Sequence, residues 1–259
     1  MKIYKIDAFT DEPFTGNPAA VCFLESPKDT SWMQNIAMEM NLSETAFVWP
    51  KDPGFELRWF TPTSEVDLCG HATLATSHAI WEEEIRPKDS PIEFYTKSGT
   101  LTTAFTGEWI EMDFPSLPAK QISHPEGLTE ALHVKASYVG ENKYDYLVEV
   151  TSEIVLRKLR PDFPKLARFD VRGVIITARS SEYDFVSRFF APGVGISEDP
   201  VTGSAHCCLA PYWAGKIKKD TMIGYQASQR GGVVRVQVKG DRVLLCGKAV
   251  TILKGNLLV

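Results

Sequence analysis

The sequence has no apolar run long enough to cross a membrane. Runs such as GVIITA (173–178) fall far short of the roughly 20 residues that a spanning helix needs. It has no surplus of positive charge: 28 Lys+Arg stand against 33 Asp+Glu, a net charge of −5. Proteins that bind nucleic acid show a basic balance or a basic stripe. The one dense basic stretch, RKLR (157–160), runs straight into Pro161 and Asp162 and reads as a solvated surface. Nucleic acid and membrane are therefore excluded as partners. There is no CxxC pair, and the cysteines are odd in number: Cys22, Cys69, Cys207, Cys208 and Cys246. A disulfide framework is excluded. His206-Cys207-Cys208 resembles a metal cluster only superficially. Three consecutive residues cannot all face one ion on a helix, and no second ligand pair has zinc spacing. They read as small buried thiols on a helix, and no metal site is expected. The opening MKIYKIDAFTDEP interleaves Lys2, Lys5, Asp7 and Asp11 and lacks the apolar core of a secretory signal, so a cytoplasmic protein is the expectation.

What is present is an ordinary folded chain. Its 259 residues are 44% hydrophobic and 24% charged, enough apolar material for one large domain or two modest ones. Alternation and β-branched or aromatic content predict strands at 2–9, 19–24, 44–49 and 55–60, with a short helix at 32–40 capped by Ser31. An Ala-rich helix follows at 71–83, then a meander at 92–96, 100–105 and 109–114. Pro115, Pro118 and Pro125 mark a linker. Beyond it come a weak helix at 128–132, strands at 137–140 and 145–150, a short helix at 162–169, and strands at 173–178 and 184–190. A long loop (191–203) leads to a helix at 204–216 expected to break around Pro211. Hairpins fill 231–253, with a turn at Gly240-Asp241.

The listing contains a repeat. RWFTP (58–62) leads to Gly70-His71-Ala72 and a small-residue helix ending near Trp81; RFFAP (188–192) leads to Gly203-Ser204-Ala205 and a similar helix ending near Trp213. Order, spacing and helix composition match together. The expected architecture is α+β: two pseudo-symmetric halves, 1–117 and 118–259, each with mostly antiparallel strands around a small-residue helix, the last strand crossing to the N-terminal half.

Both helices are too small all round for an amphipathic surface helix, as expected of a helix wrapped closely by a sheet. Gly70 and Gly203 stand at their N-termini, where unpaired N–H groups and the positive dipole end favour an anion. A purely structural role in tight turns fits the same glycines. Glu44 opens an otherwise apolar strand, where a carboxylate is costly unless solvated, paired or used. Asp199 lies four residues before Gly203, in a position that suits a turn or cap as well as a site. His71 has a side chain that can carry a proton near neutral pH.

Five segments in order, KIDAFTDEPFTGNPAAV (5–21), NLSETAFV (41–48), RWFTPTSEVDLCGHATLA (58–75), SRFFAPGVGISEDPVTGSAH (187–206) and ASQRGG (227–232), resemble the PhzF family of phenazine-biosynthesis-like proteins. The resemblance implies the diaminopimelate-epimerase-like fold, with a cleft between its halves, and a homodimer. It implies an isomerase that shifts a proton on a small anionic substrate of the trans-2,3-dihydro-3-hydroxyanthranilate type, with no metal or organic cofactor. By position it implies Glu44 as the catalytic acid/base, with His71, Asp199 and Ser204 as its partners; Gly70, Gly203 and Asn17 are the candidate substrate contacts. Two alternatives stand beside this reading. Epimerases and racemases of the same fold use two cysteines as opposed bases; Cys69 stands where the first could be, but Thr202 occupies the place of the second. A binding protein without catalysis would keep the fold but not need Glu44.

Overall fold

The computed structural model describes all 259 residues, and the chain divides into two compact units: Met1–Asp113 with Cys246–Val259, and Phe114–Leu245.

The first unit runs β1 (Lys2–Ala8), β2 (Asn17–Phe23), α1 (Thr30–Met40), β3 (Glu44–Lys51), β4 (Gly54–Phe60), β5 (Glu65–Val66), α2 (Gly70–Glu82), β6 (Ile92–Thr96), β7 (Gly99–Thr106) and β8 (Trp109–Pro115). β2 and β3 are parallel, and both read as continuous apolar runs because both of their faces are covered. α1 covers one face, packing Met33, Ile36 and Ala37 with Cys22, Phe47 and Phe60. α2 covers the other, and ten of its thirteen residues are buried, too many for a helix with one wet face. Its hydroxyls are satisfied internally: Thr73 donates to the Cys69 carbonyl, Thr76 to Ala72 and Ser77 to Thr73, each four residues back. Small side chains that return their polar atoms to their own helix let the strands approach closely without orphaned groups.

The second unit runs β9 (Lys120–Gln121), α3 (Leu128–Leu132), β10 (Ala136–Glu141), β11 (Asp145–Val150), α4 (Glu153–Lys158), α5 (Phe163–Leu166), β12 (Gly173–Arg179), β13 (Phe185–Ala191), β14 (Ile196–Asp199), α6 (Gly203–Ile217), β15 (Thr221–Gln226), β16 (Gly232–Lys239) and β17 (Arg242–Gly247). The final strand, β18 (Ala249–Asn256), pairs antiparallel with β1.

The repeat extends to strand direction. In the first unit β1–β2 is antiparallel, β2–β3 parallel, β3–β4 antiparallel and β4–β6 parallel; β10–β11, β11–β12, β12–β13 and β13–β15 have the same four senses in the same order. Single side chains match too. Arg58 on β4 forks onto Glu65 on β5 at 2.7 and 2.8 Å; Arg188 on β13 forks onto Glu198 on β14 at 2.7 and 2.9 Å.

Two local readings need correction, and one strand lay outside the sequence reading. α6 does not break at Pro211 but continues to Ile217. The proline deprives the Cys207 carbonyl of its helical donor, and the Leu117 N–H supplies the missing bond at 3.0 Å. α1 begins at Thr30 with Asp29 at the N-cap, so Ser31 lies inside the helix. The stretch 221–226, which carries no clear strand signal, is β15; its Gly224 is required because a Cβ there would lie 2.5 Å from the Phe185 ring. Cys207 and Cys208 are buried thiols on α6, as expected.

Candidate active site

In the first unit the sequence-predicted residues meet at the start of α2. Glu44 is the first residue of β3, and its side chain is 15% exposed. His71 is the second residue of α2 and is buried. Its Nε2 lies 3.1 Å from Glu44 Oε2, an ion-pair distance whose angles depart from an ideal hydrogen bond. Its Nδ1 lies 3.3 Å from Asn17 Nδ2 and 3.5 Å from Cys69 Sγ. Asn17 opens β2 after a loop whose last residue, Gly16, has φ +67; a Cβ there would stand 2.3 Å from the Ala8 carbonyl. Only glycine makes this turn, which delivers the fully buried Asn17 side chain to His71. Gly70 begins α2, and no side chain closes its N-terminal turn through a cap hydrogen bond.

Burial of His71 works against its charged form, the Glu44 carboxylate beside it works for that form, and the net effect raises the ring's pKa above the ordinary histidine value. Burial first, and then the Glu44 charge, pushes the Cys69 thiol up as well. A thiol so raised is neutral near pH 7, so the carboxylate of Glu44 is the anion beside the ring.

Glu44, Cys69 and His71 have ligand atoms within 4.8 Å of one another. The imidazole nevertheless turns one nitrogen to Glu44 and the other to Cys69. The arrangement suits movement of a proton.

In the second unit Asp199 and Ser204 flank the start of α6. Asp199 ends β14, Gly203 is the first residue of α6 and Ser204 the second. Thr202 holds the N-cap position, but its hydroxyl donates to Asp199 Oδ2 instead of capping the helix. One turn on, His206 is completely buried; its Nδ1 lies 2.9 Å from the Thr202 carbonyl. Burial lowers its pKa to about 4. Sequence reasoning passed over Gln226, fully buried at the end of β15, whose side chain bonds to the Asp199–Thr202 loop. The only available signal was its place beside the ASQRGG segment.

The profile of the family described as "Phenazine biosynthesis-like protein" (PhzC-PhzF) matches residues 6–255. The chain belongs to the PhzF family. An uncharacterised isomerase of Halalkalibacterium halodurans is 54% identical over 260 residues, covering 99% of this chain and 98% of that protein. The crystal structure of a PhzF-family phenazine biosynthesis protein from Enterococcus faecalis, 40% identical, superimposes with a TM-score of 0.97 over 100% of this chain and 99% of that one. A probable proline racemase from Agrobacterium radiobacter, only 10% identical, still gives a TM-score of 0.67 over 100% of this chain and 93% of that one. The fold is thus the diaminopimelate-epimerase-like one that PhzF proteins share with racemases. Like its near relatives named as isomerases, this PhzF-family chain is an isomerase. No helix is long and apolar enough to cross a membrane.

Proposed function

We propose that this PhzF-family protein shifts a proton between two carbons of a small carboxylate of the trans-2,3-dihydro-3-hydroxyanthranilate type, with Glu44 as the group that takes the proton and returns it. The observation that carries the proposal is the Glu44–His71 pair, 3.1 Å apart at the N-terminus of α2. A base that must release its proton again works best when its surroundings let it hold either state. His71 supplies that by staying beside the carboxylate in both.

The chemistry balances within the substrate. Glu44 removes a proton from one carbon, the electron pair moves along the conjugated system, and the same carboxyl protonates a second carbon. Negative charge that develops on the substrate is stabilised by the N–H groups that open α2 at Gly70 and by the His71 ring. Asp199 is assigned to a substrate ammonium or hydroxyl group, Ser204 and the Gly203 N–H to substrate oxygens. Asn17, fully buried against His71, acts on that ring more than on substrate. The family relation also carries a homodimer as an expectation, which sedimentation equilibrium tests.

The thiol alternative is disfavoured by two features of this chain. Burial keeps the Cys69 thiol protonated, whereas a nucleophilic or basic cysteine must be a thiolate. Thr202, which stands where a second cysteine would be needed, spends its hydroxyl on Asp199.

Incubation with trans-2,3-dihydro-3-hydroxyanthranilate in deuterated water tests the proposal. Isomerisation with deuterium appearing at the newly protonated carbon supports it. Unchanged substrate at micromolar enzyme overturns the substrate class.

A further inference from the structure

The loop before α6 is held by an amide whose orientation the main chain dictates. Gln226 Oε1 lies 2.9 Å from the Thr202 N–H, which can only donate. Gln226 Nε2 lies 2.7 Å from the Asp199 carbonyl, which can only accept. The side chain therefore has one possible direction, free of the usual ambiguity between amide oxygen and nitrogen. In that direction the same Nε2 also faces Thr202 Oγ1 at 3.3 Å. A hydroxyl that accepts there is left with its hydrogen to give, and it gives it to Asp199 Oδ2. The result is a directed chain, amide to hydroxyl to carboxylate, with Gln226 fully buried and Thr202 8% exposed. The segment after Gln226 tightens the same loop: Ser228 donates to the Pro200 carbonyl at 2.8 Å and accepts from the Gly231 N–H at 3.0 Å.

A helix start needs none of this. Thr at an N-cap ordinarily bonds an N–H of the first turn, and here it is diverted to a carboxylate. A buried glutamine bonded to both ends of a four-residue loop fixes the carboxylate's carbonyl and, through Thr202, one of its oxygens.

We infer that Gln226 is a positioning residue for Asp199, acting through the Thr202 hydroxyl to hold the carboxylate as a hydrogen-bond acceptor aimed at substrate. The inference rests on the assignment of Asp199 to substrate binding made above.

The test measures kcat/KM for the isomerisation in Gln226→Leu, Thr202→Val, Thr202→Ser, Asp199→Asn and the Asp199→Asn/Gln226→Leu double variant, with thermal melts to confirm folding. Gln226→Leu and Thr202→Val each lose about tenfold, the worth of one charge-assisted hydrogen bond. Thr202→Ser, which keeps the hydroxyl, recovers most of the activity. The double variant is no worse than Asp199→Asn alone, because the chain acts only through that carboxylate. Thr202→Val keeps the question answerable if Gln226→Leu does not fold. Wild-type kcat/KM in both Gln226→Leu and Thr202→Val beside a crippled Asp199→Asn overturns the inference and leaves the role of Asp199 standing. Losses that multiply in the double variant overturn it too, since they mark a merely structural glutamine. Full activity in Asp199→Asn overturns the role of Asp199 and the inference with it.

Discussion

His71 is where the chemistry of single residues is decided. Its ring separates a carboxylate from a thiol, with Glu44 on Nε2 and Cys69 on Nδ1. The raised pKa of Cys69 makes the thiol a neutral neighbour. Cys69→Ser, which keeps a small polar group there, is expected to hold at least about a tenth of wild-type turnover, within the range of one lost hydrogen bond. Steady-state kinetics of the purified variant checks this; complete loss would restore the thiol mechanism. His206 makes a second prediction. Its folded pKa near 4 lies below the unfolded value of about 6.5. The unfolded chain thus binds an extra proton between these values, and stability is fully present above about pH 6.5 and drains away as pH falls toward 4. Between pH 7 and pH 5 the loss from this group is about 2 kcal/mol. Urea unfolding at the two pH values should show a smaller drop for His206→Gln than for wild type. Of these residue roles, the sequence made Glu44 and His71 visible as candidates. Their contact was not visible, because it depends on a parallel β2–β3 pair and a glycine turn that bring Asn17, Glu44 and His71 to one point. Gln226 was invisible for the same reason: 24 residues separate it from Thr202.

Among the elements, α2 and α6 were legible from composition. Helices made of Ala, Thr, Ser and Gly announce close packing, and α2 is buried on every side. Ala75 is completely buried in it. Ala75→Leu forces three extra carbons into a packed interior and should destabilise the protein by about 3 kcal/mol; a drop in melting temperature of several degrees in differential scanning calorimetry is the expected result. The fate of Pro211 was not legible. Sequence shows that a proline removes a donor, but not that the Leu117 N–H stands ready to replace it. Short strands such as β5, β9 and β14 and the glycine-bearing β15 lacked the alternation that marks a strand, since two to six residues next to a loop carry little pattern.

Across the whole molecule the repeat read from RWFTP and RFFAP extends to the sense of four successive strand pairings in each unit and to one arginine fork in each. The two forks differ in their setting. Arg58 reaches Glu65 and an exposed Thr30 hydroxyl, whereas Arg188, 8% exposed, also donates to the Leu156 and Leu159 carbonyls at the end of α4. Arg188→Ala strips Glu198 of its guanidinium and the two carbonyls of their buried donor, and should cost about 3 kcal/mol or more. Arg58→Ala should cost less, about 1 kcal/mol, because Arg58 bonds no buried carbonyl and Glu65 keeps Lys97 as a second cation. Denaturant unfolding of the two variants compares them directly. The repeat does not extend to the chemistry: where β3 begins with Glu44, β12 begins with Gly173, whose absent Cβ makes room for the Phe189 ring. The first unit has an acid at that place and the second has packing. The most direct test of the account is therefore the turnover of Glu44→Gln with trans-2,3-dihydro-3-hydroxyanthranilate in deuterated water, on protein that melts like wild type. The account predicts that isomerisation and deuterium uptake fall by about a hundredfold or more. Wild-type rates with full deuterium uptake in Glu44→Gln would contradict it.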